Sequence, residues 1–312
     1  MQPKGTVLII DDVHPYLNEH LPALGYAIDY LPYISRAEII NCIGNYEGLV
    51  VRSKTKIDRE VLQEAHKLKF IGRAGSGLEI IDLEYCEQAG ITCFNTPEAN
   101  CDAVGEQAVG MLLSLLANIH KSYLEVNNFE WEREGNRGFE LSYMTVGIVG
   151  YGHTGSAFAK KLSGFGCKII AYDKYKTDYG NELVEECSME ALYARADVLS
   201  VHLPLTSETH HLITSDYINS FKKSFYLLNL SRGKIMHTPA VLSALQSGKL
   251  RGCALDVLEN ENLPEYSFDE RQQLSNLLAY PNVLITSHTG GWTHESYYKI
   301  SVSLVEKIKQ LG

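Results

Sequence analysis

Apolar runs of strand length alternate with segments of helical spacing from one end of the chain to the other. "TVLIID", "GLVVRS", "KFIGRA" and "ITCFN" have the dense apolar character of buried strands, while "REVLQEAHKL" between them spaces its apolar residues three and four apart. The alternation resumes with "TVGIVG", "CKIIAYD", "DVLSVHLP", "SFYLLNLS", "GCALDVL" and "NVLITSH". Such a pattern predicts an α/β architecture, parallel sheets covered by helices on both faces. The stretch "TPEANCDAVGEQAVGMLLSLLANIHKSYLEVNNFEWEREG" predicts a long helical passage ending in a charged loop, and marks the join between two sets of β/α units. Residues 260–280 read as a polar, weakly patterned insertion.

Composition narrows the class. A chain of 312 residues, 45% hydrophobic and 21% charged, has the make-up of a soluble globular protein of two ordinary domains. The net charge of −10 argues against a nucleic-acid surface or an anionic membrane, both of which recruit clustered Lys and Arg. Seven scattered cysteines, with no C-x-x-C pair, predict free structural thiols rather than a disulfide or zinc framework. "MQPKGTVLIIDD" leads straight into a strand pattern instead of a signal-peptide apolar region, and the greasiest helix is interrupted by glycines, Glu106 and Gln107. A cytoplasmic protein is expected, with no bound metal.

Specific chemistry enters at "TVGIVGYGHTGSAFAKKLSGFGCKIIAYD". Gly150, Gly152 and Gly155 make G-x-G-x-x-G directly after a predicted strand and at the start of a helix. The first glycine suits a tight turn, the second close approach to a pyrophosphate, and the third helix–strand packing. The helix start then offers free N–H groups and a positive dipole end to that anion. Asp173 closes the next strand, 18 residues after Gly155, where a carboxylate can accept ribose hydroxyls and repel a 2′-phosphate. NAD is therefore expected over NADP, with Lys174 and Lys176 weakening the preference.

A nucleotide domain in the middle of a chain, flanked by β/α units, is distinctive. "LLNLSRGKIMHTPAVLSALQSGKLRGCALDVLENE" and "YPNVLITSHTGG" resemble blocks of the D-isomer-specific 2-hydroxyacid dehydrogenases. "VVRSKTKIDREVLQEAHKLKFIGRAGSGLEIIDLEYCEQAGITCFNTPEAN" is similar to that family's substrate domain. The resemblance runs from about residue 5 to 310 and is nearest the phosphoglycerate dehydrogenase branch. It implies two Rossmann-like or flavodoxin-like domains, the NAD-binding domain (99–292) inserted into a discontinuous substrate-binding domain (1–98 and 293–312). Catalysis in the cleft with hinge closure, and a homodimer built mainly through the NAD domains, are implied with it.

The same resemblance implies a catalytic trio: Arg232 in "NLSRG", Glu261 in "DVLENE" and His288 in "TSHTGG". Oxidising a 2-hydroxy acid removes a hydride from C2 and a proton from the hydroxyl, and a histidine can take or return that proton near neutral pH. A carboxylate beside an imidazole favours its protonated form. An arginine stays charged while holding a carboxylate and polarising a keto oxygen. On the residues alone, His288 is equally a histidine among small residues and Arg232 an ion-pair partner. Glu259 competes with Glu261, because the family's usual Glu-Pro is Glu-Asn here, with Pro264 three residues on.

For the cofactor, the resemblance implies pyrophosphate contacts at His153 and Thr154, an adenine-side loop of His202, Leu203 and Pro204, and Asp256 orienting the nicotinamide amide. Leu230, Ser231, Gly290 and Gly291 complete the implied set. For a small anionic 2-hydroxy or 2-keto acid, it implies the loop Ala74, Gly75, Ser76 and Gly77, whose amides form an anion nest. Arg52, Ser53, Arg73 and Arg133 join that loop, three arginines suiting a doubly charged phosphate. The expected substrate pair is 3-phosphoglycerate and 3-phosphohydroxypyruvate, in serine biosynthesis, with hydroxypyruvate or glyoxylate reduction as the alternative. A non-catalytic NAD-sensing binding protein is the rival of another class, disfavoured by the intact Arg, Glu and His. A formate-type dehydrogenase would carry Gln where Glu261 stands. Two departures stand out: the usual acidic residue after "SRG" is replaced around His237, and the chain ends at Gly312. A short form without a C-terminal regulatory domain is expected.

Overall fold

The structure, a computed structural model, describes residues 4–311. The chain divides into two compact units, Met1–Asn100 with Trp292–Gly312, and Cys101–Gly291. In the first, β1 (Gly5–Ile9), β2 (Tyr26–Tyr30), β3 (Gly48–Val51), β4 (Phe70–Arg73) and β5 (Thr92–Phe94) form a parallel sheet in the order β2-β1-β3-β4-β5. The second holds β6 (Thr145–Val149), β7 (Lys168–Tyr172), β8 (Glu185–Glu186), β9 (Val198–Val201), β10 (Phe225–Asn229), β11 (Leu250–Leu255) and β12 (Val283–Ile285). They too are parallel, in the order β12-β11-β10-β9-β6-β7-β8. The first order is flavodoxin-like and the second is that of a dinucleotide-binding Rossmann sheet.

The strand pairing follows from side-chain alternation. In the first unit Leu8, Leu49, Val51 and Ile71 enter one apolar core, while Val7, Ile9, Val50 and Phe70 enter the other with Leu304 and Ile308 of helix His294–Gln310. In the second, Val149, Leu199, Val201, Leu227 and Leu255 face one core and Val146, Ile148, Val198, Leu228 and Ala254 the opposite one. Every central strand must therefore be apolar at consecutive positions, and burial of each large aliphatic side chain contributes about 1.5–3 kcal/mol. A one-residue slip would exchange the two cores.

Several segments differ from the pattern-based expectation, the short edge strand β8 among them. β2, "YAIDY", was not among the expected strands, because this edge strand buries only Tyr26 and leaves Ala27, Asp29 and Tyr30 exposed. The long helical passage breaks into Pro97–Leu116 and Ile119–Asn127 at Asn118, which adopts φ 52°, a left-handed conformation asparagine tolerates. The insertion at 260–280 contains the helix Phe268–Leu278, started by a reciprocal cap between Ser267 and Glu270. Only Leu277 of that helix is buried, so it lacks the apolar stripe that announces most helices. Among the described residues no helix is long and apolar enough to cross a membrane.

Candidate active site

Because the strands of the second unit are parallel, their carboxyl ends share one edge, where ligands of such sheets bind. Gly150 leaves β6, Asp173 β7, His202 β9, Leu230 to Arg232 β10, Asp256 β11 and Thr286 to Gly291 β12. Strand order reverses between β6 and β9, beside the glycine turn.

Each glycine of that turn answers a different steric demand. Gly150 adopts φ +90°, and a side chain there would strike the carbonyl of His202. A Cβ on Gly155 would collide with the carbonyl of Gly150, so helix His153–Leu162 packs on β6 only through a residue without one. A Cβ on Gly152 would meet no protein atom within 4 Å. That side of the turn is free for a ligand, at a helix start whose cap residue makes no side-chain cap bond. His153 and Thr154 are the first two residues of the helix. The turn therefore fits a dinucleotide pyrophosphate.

Asp173 is tied to the same turn. Its Oδ2 accepts from the Tyr151 N–H at 2.8 Å, and its Oδ1 accepts from those of Tyr175 and Lys176 at 2.9 and 3.1 Å. Lys174 is drawn to Glu208 at 2.7 Å, and the Lys176 ammonium donates to the Tyr151 carbonyl at 3.1 Å. His202 is buried. Its ring bonds Ser200 Oγ at 2.8 Å and lies 5.3 Å from Phe158, and burial pushes its pKa down to about 3. Leu203 packs partly on one core of the second unit, Leu230 is buried in the opposite one, and the Pro204 carbonyl accepts from Thr209 Oγ1 at 2.6 Å.

The three catalytic candidates follow the adjacent strands β10, β11 and β12, and two of them, Glu261 and His288, meet. His288 Nδ1 lies 2.8 Å from Glu261 Oε2, and both side chains are a little over two-fifths exposed, at 43% and 44%. His288 holds φ +53°, costly for a residue with a Cβ, and is pinned there by its N–H donating to the Asp256 carbonyl at 2.8 Å. Glu259 is engaged elsewhere, 2.7 Å from His211 and accepting from the Thr238 N–H at 2.6 Å. The two glutamates thus have different partners, His288 for Glu261 and His211 for Glu259. Arg232 follows β10 in extended conformation and donates through Nη1 to the Ser231 carbonyl at 2.7 Å. Gly233 lets the Leu258–Glu259 backbone pass directly over this turn, where any side chain would collide.

Asp256, only 1% exposed, organises the β12 loop. Its carboxylate accepts from Thr286 Oγ1 at 2.5 Å, Gln107 Nε2 at 2.8 Å, and the N–H groups of Thr289 and Gly290 at 3.0 and 2.7 Å. A Cβ on Gly290 would lie 2.6 Å from Asp256 Oδ2. Gly291 follows with φ +86°. Gln107 and Thr286 were not among the sequence candidates, nor was Asn229. Asn229 is buried; its Oδ1 accepts from the Ser231 N–H at 3.0 Å and its Nδ2 donates to the Arg232 carbonyl at 3.0 Å. Ser231 Oγ donates to the Val201 carbonyl at 2.6 Å. A lone polar residue closing an apolar strand was the available signal.

In the first unit, Asp11 was likewise missed. Its buried Oδ2 accepts from the N–H groups of Arg52 and Ser53 at 2.5 and 3.2 Å, shaping the turn after β3. The Arg52 guanidinium stacks 4.0 Å from the Trp292 ring centre. Arg73 pairs with Val51 in the β3–β4 register, which sets it beside that turn, and its Nη1 donates to the Ala74 carbonyl at 3.2 Å. Gly75 holds φ +146°, and the carbonyls of Gly75 and Ser76 accept from the Thr96 N–H and Asn95 Nδ2. Arg133 is exposed on the segment before β6, ahead of a strand rather than after one, and does not join the residues at the carboxyl edge.

The chain is similar to known proteins in sequence and fold. The family model for the D-isomer specific 2-hydroxyacid dehydrogenase NAD binding domain matches residues 109–290, within the second unit. The chain is 35% identical over 283 residues to the hydroxypyruvate reductase of Thermotoga maritima, covering 90% of each. It is 34% identical over 310 residues to the D-3-phosphoglycerate dehydrogenase of Methanocaldococcus jannaschii, covering 98% of this chain but 57% of that one. Among solved structures it is similar to the D-lactate dehydrogenase of Aquifex aeolicus complexed with NAD and lactic acid. The TM-score is 0.83 at 28% identity, over 98% of this chain and 95% of that one. The chain belongs to the D-isomer-specific 2-hydroxyacid dehydrogenases, NAD-dependent oxidoreductases.

Proposed function

We propose that this protein interconverts a D-2-hydroxy acid and its 2-keto acid with NAD, His288 acting as acid–base. The His288–Glu261 contact of 2.8 Å carries this assignment. NAD, when bound, supplies the hydride exchange at C2. His288 takes the hydroxyl proton in oxidation and returns it in reduction, while Glu261 orients the ring and compensates its positive charge. Arg232, permanently charged, holds the substrate carboxylate and polarises the C2 oxygen. The glycine turn and helix start bind the pyrophosphate and Asp173 the ribose, while the buried Asp256 acts indirectly, by fixing the loop that carries His288, Thr289 and Gly290.

For the substrate, we favour the 3-phosphoglycerate and 3-phosphohydroxypyruvate pair. Arg52 follows β3 and Arg73 ends its neighbour β4, a pairing of guanidinium groups suited to a multiply charged anion. A second possibility rests on a specific observation: with the Arg52 guanidinium stacked on Trp292, an unphosphorylated acid such as hydroxypyruvate or glyoxylate suits the same residues. NADH consumption with 3-phosphohydroxypyruvate, hydroxypyruvate, glyoxylate and pyruvate separates the two. A preference of about tenfold or more in kcat/KM for the phosphorylated acid supports the first, and the reverse preference discards the phosphate site.

A homodimer is also proposed. Tyr123, Leu124, Phe129, Trp131 and Phe139 are all more than half exposed, on helix Ile119–Asn127 and the segment after it. An apolar face of this kind is characteristic of an interface. Leu124→Glu is expected to yield monomers by light scattering where the parent is dimeric.

A further inference from the structure

The second unit contains another histidine–glutamate pair, whose glutamate lies on the same loop as Glu261. His211 Nε2 lies 2.7 Å from Glu259 Oε2, and Glu259 is two residues before Glu261. The other oxygen of Glu259 accepts from the N–H of Thr238 at 2.6 Å, at the start of helix Thr238–Gln246. The cap residue of that helix, His237, makes no side-chain cap bond, so Glu259 supplies from another segment what the local sequence lacks.

His211 is fixed from the other side. Its N–H donates to the Lys234 carbonyl at 2.7 Å, and that of Ile213 to the Ile235 carbonyl at 2.9 Å. The His211 segment is thereby stitched to the turn Gly233–Ile235 that directly follows Arg232. The Leu258–Glu259 backbone fills the space over Gly233. One histidine–carboxylate bond thus links the loop carrying Glu261 to the turn carrying Arg232. His211 holds φ +51°, a strained conformation that such stitching must sustain. The rings of His210 and His237 lie 4.2 and 5.2 Å from that of His211. Among the described residues no such group is arranged to hold a metal ion.

We infer that His211 and Glu259 are positioning residues, which hold Glu261 and Arg232 in register with His288 without touching the substrate. This role presupposes the dehydrogenase activity proposed above. A cavity of about 240 Å³ bordered by His211, His237, Glu259, Tyr266 and Glu270 gives free imidazole a place beside Glu259 when the His211 ring is removed.

The test compares His211→Ala, Glu259→Gln and the control His210→Ala with the parent, as NADH-bound enzyme. Expected for the first two is a fall in kcat of about 10- to 100-fold, the scale of a misplaced catalytic group, with a raised KM for the keto acid from the shifted Arg232 and NADH affinity within about twofold. Imidazole should restore part of the His211→Ala rate, and His210→Ala should match the parent. Hydrogen exchange should show the Leu258–Asn262 amides losing protection in His211→Ala and Glu259→Gln alone. The inference is overturned if both variants keep kcat within about twofold and leave that protection unchanged. If the parent reduces none of the keto acids, the dehydrogenase assignment fails, and the exchange comparison alone decides the role of the pair. Should His211→Ala fail to fold, the gentler Glu259→Gln, which retains an acceptor for Thr238, decides the matter by the same two readouts.

Discussion

The two histidine–glutamate pairs differ little in bond length and greatly in setting. His288 and Glu261 meet at 2.8 Å and His211 and Glu259 at 2.7 Å, and both histidines adopt left-handed backbone. Glu261 is 44% exposed, whereas Glu259 is 27% exposed and also caps a helix. Burial alone would raise the carboxyl pKa of Glu259, but its bonds from Thr238 and its contact with His211 outweigh that and hold it below the usual range. Identical residue types therefore serve different ends. The open pair can exchange protons with a ligand. In the second pair the less exposed carboxylate has both oxygens committed, to His211 and to Thr238, which suits it to holding its surroundings together.

Substitutions should widen that contrast. The largest effect is expected for His288→Asn, which removes the proton carrier. Its kcat should fall by about a thousandfold, with NADH affinity nearly unchanged by fluorescence titration. Glu261→Gln keeps a hydrogen-bond acceptor but not the charge, and should cost about 10- to 100-fold in kcat. Joined with Glu259→Gln, it should cost less than the product of the single losses, since both act through one loop; a fully multiplicative double variant would mean independent roles. Asp173→Ala, away from both pairs, should leave NADH turnover within about tenfold while raising relative use of NADPH, read as the ratio of the two kcat/KM values.

A third histidine sharpens the comparison from the opposite direction. His202 has no carboxylate partner, and burial lowers its pKa to about 3. The unfolded chain takes up that proton near pH 6.5 and the folded protein does not, so stability falls as pH drops below about 6.5. Urea unfolding should show His202 contributing up to about 2 kcal/mol of destabilisation between pH 6.5 and 5, absent in His202→Gln.

Some of this architecture was legible in the sequence and some was concealed. Strands such as "TVGIVG" and "SFYLLNLS" announced themselves because both faces of a central strand are buried. β2 did not, because an edge strand with one buried residue has no such signal. The glycine turn was readable since its constraints are local. Asn229, Asp11 and Gln107 appear in the sequence as ordinary polar residues, and the bonds of Asp11 and Gln107 span long separations along the chain. The choice of Glu261 over Glu259 could not come from spacing. Both glutamates lie within one short acidic loop; the family resemblance favours Glu261, and their three-dimensional partners, His288 for Glu261 and His211 for Glu259, differ.

The most direct test of the proposed chemistry is NADH consumption by the parent and by His288→Asn across the four keto acids. The parent is expected to turn over at least one of them, and His288→Asn to lose about a thousandfold in kcat on that acid while still binding NADH. Comparable kcat in the two proteins, or a parent that binds NADH and reduces no keto acid, would contradict the role given to His288.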